Sequence, residues 1–183
     1  MTDSTVTVVA LVGSLRRDSI NRRLAQAAAD NPPAGVTVTV VEGLDRLPFY
    51  NEDIDAGDLD AAVVALREDV AAADAVLIAT PEYNGTIPAV LKNAIDWLSR
   101  PYGQGAMTEK PVGVIGAALG RYAGTWSRQD TRKAVGIAGG QVVEDIDFGL
   151  ATAGLADGAL PAEVIDDVVG AVRVLADQVP ARV

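Results

Sequence analysis

The chain has 183 residues, which fits one domain spanning 1–183; a chain of that size buries roughly 70% of the surface its unfolded form exposes. It contains neither Cys nor His, which excludes disulfides, a thiolate nucleophile, the commonest zinc ligand and the usual general base near neutral pH. A net charge of −10 with no Lys/Arg-rich face argues against nucleic acid or an anionic membrane as partner. No apolar run approaches the roughly 20 residues needed to cross a bilayer, and the start Met1-Thr2-Asp3-Ser4 lacks a cationic signal head, so the expected location is the cytoplasm. What remains is chemistry that a cofactor performs, or binding without chemistry.

Val6 to Val12 is a near-continuous apolar run, the pattern of a central parallel strand covered on both faces. A helix from about Ile20, with Leu24, Ala27 and Ala28 on one stripe, stops before Asn31-Pro32-Pro33, and Val36 to Val41 is a second strand. Residues 43–57 read as a long loop, Leu59 to Ala72 as a helix, and Ala75 to Ala79 as a third, buried strand. The next helix runs from about Pro88 to Leu98 with Lys92 and Asp96 as an outer i,i+4 pair. Val112 to Gly116 is the fourth strand, Ser127 to Val135 a weaker helix, Gln141 to Phe148 the segment for a fifth strand, and Pro161 to Val179 a closing amphipathic helix. Strand and helix alternate throughout, which specifies a doubly wound parallel sheet with right-handed crossovers. Ligands of such sheets sit beyond the carboxyl ends of the strands, so the loops after strands one, three and four are where function is sought.

The first of these, Gly13-Ser14-Leu15-Arg16-Arg17-Asp18-Ser19-Ile20-Asn21, joins a buried strand to a helix that Ser19 or Asp18 can cap. Free amides at a helix start, two hydroxyls and two arginines in an acidic chain suit one phosphate; the plainer alternative is a capped turn with solvated arginines. With Gly13 as its only glycine and no Gly-Lys-Ser/Thr, it is neither a nucleoside-triphosphate loop nor a dinucleotide fingerprint. The second loop, Thr80 to Pro88, has an Asn84-Gly85 pair that favours a turn with positive φ, and prolines that stiffen both ends. Its backbone can read alternating donors and acceptors on a planar heterocycle, with Tyr83 beside the ring; alternatively it is a rigid surface turn. The third, Gly116 to Thr125, is built of small residues that let a ring approach the backbone, or else is simply a flexible surface loop. Asn51 to Asp58 is acidic but departs from a calcium-loop template, and reads as a solvated loop.

Taken together, Gly13-Ser14-Leu15-Arg16 with Ser19 and Asn21, Leu47-Pro48-Phe49-Tyr50-Asn51-Glu52-Asp53, and Pro81 to Pro88 continuing through Leu91-Lys92-Asn93-Ala94-Ile95-Asp96-Trp97 resemble the NADPH-dependent FMN reductase family, which includes quinone and chromate reductases. The resemblance covers roughly residues 6–175. It implies an α/β, flavodoxin-like three-layer sandwich with a five-stranded parallel sheet of order 2-1-3-4-5. It also implies an FMN cofactor with NADPH or NADH as co-substrate, a small-molecule electron acceptor, and a homodimer or tetramer of dimers. By the same likeness Ser14, Arg16, Ser19 and Asn21 surround the FMN phosphate. Pro81, Glu82, Tyr83, Asn84 and Gly85 line the isoalloxazine, with Ala117, Ala118, Leu119 and Gly120 under its other side. Where relatives carry a richer glycine loop after strand four followed by Arg-Ala-Gln, this chain reads Leu119-Gly120-Arg121-Tyr122-Ala123-Gly124-Thr125.

Overall fold

The computed structural model describes residues 5–155 and 159–180, so the polar start at residues 1–4 lies outside it. Six strands alternate with helices: β1 (Val6–Val12), α1 (Ile20–Asp30), β2 (Val36–Val40), α2 (Glu52–Asp55), α3 (Ala61–Ala72), β3 (Ala75–Thr80), α4 (Ala89–Leu98), β4 (Pro111–Ala118), α5 (Thr125–Ile137), β5 (Gln141–Val142), β6 (Gly149–Ala151) and α6 (Ala162–Asp177). The sheet is parallel with order β2-β1-β3-β4-β5, and β6 also pairs with β4. This is the expected flavodoxin-like order, with helices on both faces.

The apolar runs alternate between two cores. Val9 and Leu11 of β1 and Val76 and Ile78 of β3 face α3, α4 and α5. Val8, Ala10 and Val12, with Leu77 and Ala79, face Leu24 of α1 and Val168, Val172 and Leu175 of α6. Because both faces are covered, a strand such as β3 is buried at every residue, and its sequence carries no polar alternation.

Two expectations need revising. Residues 43–57 are not a plain loop: a one-turn 3-10 helix at Leu44–Arg46 and the short α2 interrupt them. Asn93 and Trp97 of α4 hold this segment by its backbone. Asn93 accepts from Tyr50 N at 2.8 Å and donates to Pro48 O at 3.0 Å, and the Trp97 indole donates to the same carbonyl at 2.8 Å. The fifth strand position, expected as one run within 141–148, is filled by two short strands, so the sheet has six strands rather than five. Between them the chain turns, with Ile146 N donating to Val143 O at 3.2 Å. Gly113 leaves the space that Ile146 fills: a Cβ there would lie 2.8 Å from Ile146 Cδ1. Asp147, one residue on, turns outward to two arginines of α5.

Candidate functional site at the carboxyl ends of β1, β3 and β4

Polar groups are scarce in the interior, and where they occur marks the site. Of the eight buried polar or charged side chains among the described residues, Ser14, Ser19, Asn21, Thr80, Ser127 and Arg128 all lie at the carboxyl ends of the strands or in the helix turns that follow. Burying so many polar groups is unfavourable unless they are hydrogen-bonded, and the network described next bonds most of them, with Arg128 Nε left without a partner.

The loop after β1 leaves the sheet at Gly13, whose amide donates to Ala79 O at 2.9 Å. A Cβ on Gly13 would meet Pro88, Pro81 and Leu91 at 3.0–3.2 Å, so the glycine lets this loop lie directly on the loop after β3. Ser19 caps α1 by accepting from Arg22 N at 3.3 Å. Ser14 and Ser19 are buried, whereas Leu15, Arg16, Arg17 and Asp18 are exposed. A cleft of about 420 Å³ opens on the β2 side, lined by Arg16, Arg17, Arg22, Glu42 and Asp45, and Arg22 pairs with Glu42 across it. A capped helix start, two buried hydroxyls and two exposed arginines make a donor set of the kind an anion needs.

The loop after β3 is a tight hairpin. Tyr83 and Thr86 exchange backbone hydrogen bonds of 3.3 and 3.2 Å, with Asn84 at φ 53° and Gly85 at φ 73° between them. Positive φ at both central residues is the type I′ pattern, for which Asn-Gly is the favoured pair. Tyr83 is exposed, as are Asn84 and Gly85, while Pro81 is buried and its carbonyl accepts from both Thr80 Oγ1 (3.0 Å) and Ser127 Oγ (2.8 Å). The two hydroxyls also lie 2.8 Å from each other.

Helix α5 begins at a residue that cannot cap it. Gly124, at φ 74°, has no side chain to offer, and the Glu82 carboxylate accepts from Ser127 N at 3.1 Å in its place. Four residues of helix place Arg128 on the inner side of α5, with its side chain 7% exposed. It donates to Ala123 O at 2.6 Å and to Asp147 Oδ1 at 3.0 Å. Glycines make room for it, since a Cβ on Gly149 would fall 1.8 Å from Arg128 Nη1 and one on Gly116 3.2 Å from its Cγ. Arg132 shares Asp147 at 3.1 Å. Partial burial pushes the Asp147 carboxyl upward, but hydrogen bonds from Arg128 and Arg132 outweigh it and hold the group below the usual carboxylate range.

The structure therefore brings the three predicted loops together and refines what each residue does. The Asn21 amide is engaged by one residue: it donates to Ala117 O at 2.9 Å and accepts from Ala117 N at 2.8 Å, so it ties α1 to β4. Ala117 and Ala118 belong to β4 rather than to a loop, Ala117 being buried, so of the four small-loop positions only Leu119 and Gly120 stand exposed. Glu82 holds the start of α5. The reading from sequence placed Thr80 at the start of the second loop without giving it a role, and missed Ser127 and Arg128, which sit in a stretch read only as weak helix. A signal was present in α5 itself, where Ser127, Arg128 and Thr131 occupy the inward stripe that apolar residues would fill in an ordinary amphipathic helix.

Among the described residues no three His, Cys, Asp or Glu side chains gather as they would around a metal ion, and no helix is long and apolar enough to cross a membrane. Against known proteins, the model of the NADPH-dependent FMN reductase family matches residues 6–154. A quinone reductase of Pseudomonas putida is 41% identical over 128 residues, covering 70% of this chain and 68% of that protein. A 2-hydroxy-1,4-benzoquinone reductase of a Burkholderia species is 44% identical over 113 residues, covering 62% of this chain and 61% of that one. Among solved structures, FerB, a flavoenzyme NAD(P)H:(acceptor) oxidoreductase from Paracoccus denitrificans, superposes with a TM-score of 0.83 at 31% identity, covering 96% of this chain and 97% of FerB. With the family model spanning β1 through β6, and an anion-suited helix start packed against an Asn-Gly hairpin on a 2-1-3-4-5 sheet, the chain belongs to the NADPH-dependent FMN reductase family.

Proposed function

We propose that the chain is an FMN-containing oxidoreductase that moves a hydride from NADPH or NADH to quinones, free flavin or similar small acceptors, with donor and acceptor using one site in turn. The observation that carries this is the contact between two loops: the capped start of α1 with Ser14, Ser19 and Arg16, and the Tyr83–Thr86 hairpin that Gly13 lets pack against it. The donor set fits FMN. Hydroxyls, helix amides and Arg16 suit its phosphate, and the exposed backbone of Asn84 and Gly85 suits the polar edge of its ring, beside Tyr83 and opposite Leu119 and Gly120.

FMN in that position supplies the two-electron chemistry, turning NAD(P)H, a proton and a quinone into NAD(P)⁺ and a hydroquinone. The protein's share is binding and orientation, so the chain needs neither His nor Cys for the reaction. Arg16 and Arg17 draw anionic ligands toward a protein of net charge −10. The hairpin and the α5 start form a stiff floor, because their polar groups are bonded to one another before any ligand arrives. The active molecule is a homodimer or a tetramer of dimers; Phe49, Tyr102 and Ile137, 82%, 86% and 76% exposed, are the large side chains with most to gain from such contacts.

The test is direct. Purified protein should show a flavin spectrum and oxidise NADH or NADPH when a benzoquinone is added, with parallel double-reciprocal lines as both are varied. Intersecting lines would reject the shared site. Negligible oxidation by fully FMN-loaded protein with every small acceptor would make it an electron carrier instead.

A further inference from the structure

The rim of the site carries three side chains that the fold does not use. Tyr122 and Trp126 are 49% and 47% exposed, with ring centroids 5.0 Å apart and planes tilted by 54°. The Arg121 guanidinium lies 4.6 Å above the Tyr122 ring and donates to its hydroxyl. Exposed rings on a mobile loop would mean little, but the backbone beneath these is fixed. Ala123 N donates to Gly120 O and Thr125 N to Tyr122 O, each at 3.0 Å; Thr125 Oγ1 donates to Tyr122 O at 2.6 Å, and Arg128 holds Ala123 O. Half-exposed aromatic rings on a rigid base at the edge of a ligand site are a stacking surface.

Charge gives the surface a preference. Arg22, Arg67, Arg100, Arg128 and Arg132 all pair with carboxylates, whereas Arg121, like Arg16, Arg17, Arg46 and Arg173, forms no ion pair with a described residue, and of these it is the one that lies against an exposed ring. In a chain of net charge −10 a cation left without a carboxylate beside exposed rings is suited to an anion that brings its own ring. The array also adjoins the hairpin loop: a Cβ on Gly124, between Tyr122 and Trp126, would lie 3.9 Å from Glu82 Cβ and 3.6 Å from Ala118 Cβ.

We propose that Arg121, Tyr122 and Trp126 form an acceptor subsite that selects planar aromatic acceptors bearing a negative charge, such as ionised hydroxyquinones. This rests on the oxidoreductase reading above. The ring of the acceptor stacks on Tyr122 and Trp126, and its anionic oxygen takes the guanidinium of Arg121, which swings away from the Tyr122 hydroxyl to meet it.

Two quinones that differ in charge but hardly in shape make the test: 2-hydroxy-1,4-naphthoquinone, ionised at neutral pH, and its neutral 2-methoxy analogue. In Arg121→Gln, kcat/KM for the hydroxy compound should fall about tenfold, the size of one lost charge-assisted contact, while the methoxy compound changes by less than about twofold. Trp126→Leu should lower both to a similar extent. A second readout needs no turnover. The chain has two tryptophans, and Trp97 is 1% exposed, so quenching of fluorescence by the hydroxyquinone in FMN-loaded protein without NAD(P)H reports on Trp126. Half-quenching should require about tenfold more quinone in Arg121→Gln, and added salt should weaken quenching in the parent only. Equal loss with both quinones, or unchanged quenching, would overturn the subsite. So would a selective rise in KM for NADPH or NADH, which would assign the array to the pyridine nucleotide. If no acceptor supports NAD(P)H oxidation the oxidoreductase reading fails, and the quenching experiment still decides whether the subsite exists.

Discussion

The two ends of the site are built in opposite ways. After β1, the chain buries two serines, caps one helix and leaves Leu15, Arg16, Arg17 and Asp18 in solvent. After β3 and β4, the Pro81 carbonyl, the Thr80 hydroxyl, the Glu82 carboxylate and Ser127 are bonded to one another, and the Arg128 guanidinium one residue on is bonded to Ala123 O and Asp147. An anion can be held by long cations that gather around it, because charge attraction is tolerant of position. A planar ring that must meet a second planar molecule requires a surface whose shape is set in advance. The difference predicts that substitutions of the exposed arginines at the first end change binding alone, while those at the second change the stability of the fold.

The largest effect is expected from Gly149→Ala. Its new methyl would overlap Arg128 Nη1, 1.8 Å away, and drive a buried guanidinium from its partners. A loss of about 3 kcal/mol is expected in chemical denaturation, from overpacking and an unpaired buried charge. A loss below about 0.5 kcal/mol would show that the α5 side is not rigid. Arg16→Ala sits at the opposite pole: stability should be unchanged, while FMN affinity falls about tenfold and riboflavin affinity hardly changes, since one charge-assisted contact to phosphate is removed. Equal weakening of both flavins in a fluorescence titration would move the phosphate elsewhere.

Asp147→Asn sharpens the contrast through pH. The native carboxyl is held below its ordinary range, so its contribution is fully present above the unfolded pKa near 3.9 and is lost as pH falls through the lower native value. The variant should be less stable than the parent by about 1 kcal/mol at neutral pH, a small figure because the carboxylate is 65% exposed, and the gap should close in acid. A gap that persists undiminished to pH 2 would refute the linkage. The smallest effect belongs to Tyr83→Phe, whose hydroxyl is given no proton to move. Stopped-flow reduction by NADPH should stay within about threefold of the parent, well short of the 10²–10⁴-fold that a lost acid–base group costs.

Most of the fold was legible in the residues because each apolar run had one explanation. A strand such as Ala75 to Thr80, buried on both sides, can only be central, and the prolines and glycines after it mark its end. The loops after β1 and β3 were legible for the same reason, since Ser19 and Asn84-Gly85 carry their conformations in their own chemistry. What escaped was set by partners distant in sequence. Nothing near residue 146 announces that Gly113 has left a hole for Ile146, so the division of the last strand position was invisible. Asn21, which the family resemblance sets near the phosphate, also ties α1 to β4 through the backbone of Ala117, a partner 96 residues away that its neighbours do not announce. Arg128 lies in a segment read only as a weaker helix, and its burial depends on Gly116 and Gly149, which belong to other elements.

The borrowed cap of α5 has a consequence for the order in which the protein folds. With Gly124 at its cap position, α5 has no capping side chain of its own for the Ser127 amide, and the carboxylate that accepts from it comes from Glu82, 45 residues earlier. Nucleating a helix without a cap is unfavourable, so α5 should be a latecomer, forming only once β3 has joined the sheet and carried its hairpin into place. A peptide of residues 120–138 should then be unstructured by circular dichroism. In the whole chain, Glu82→Ala should speed unfolding with little effect on the folding rate, the signature of a contact absent from the transition state. A folding rate that drops in proportion to the lost stability would place α5 among the first elements to form.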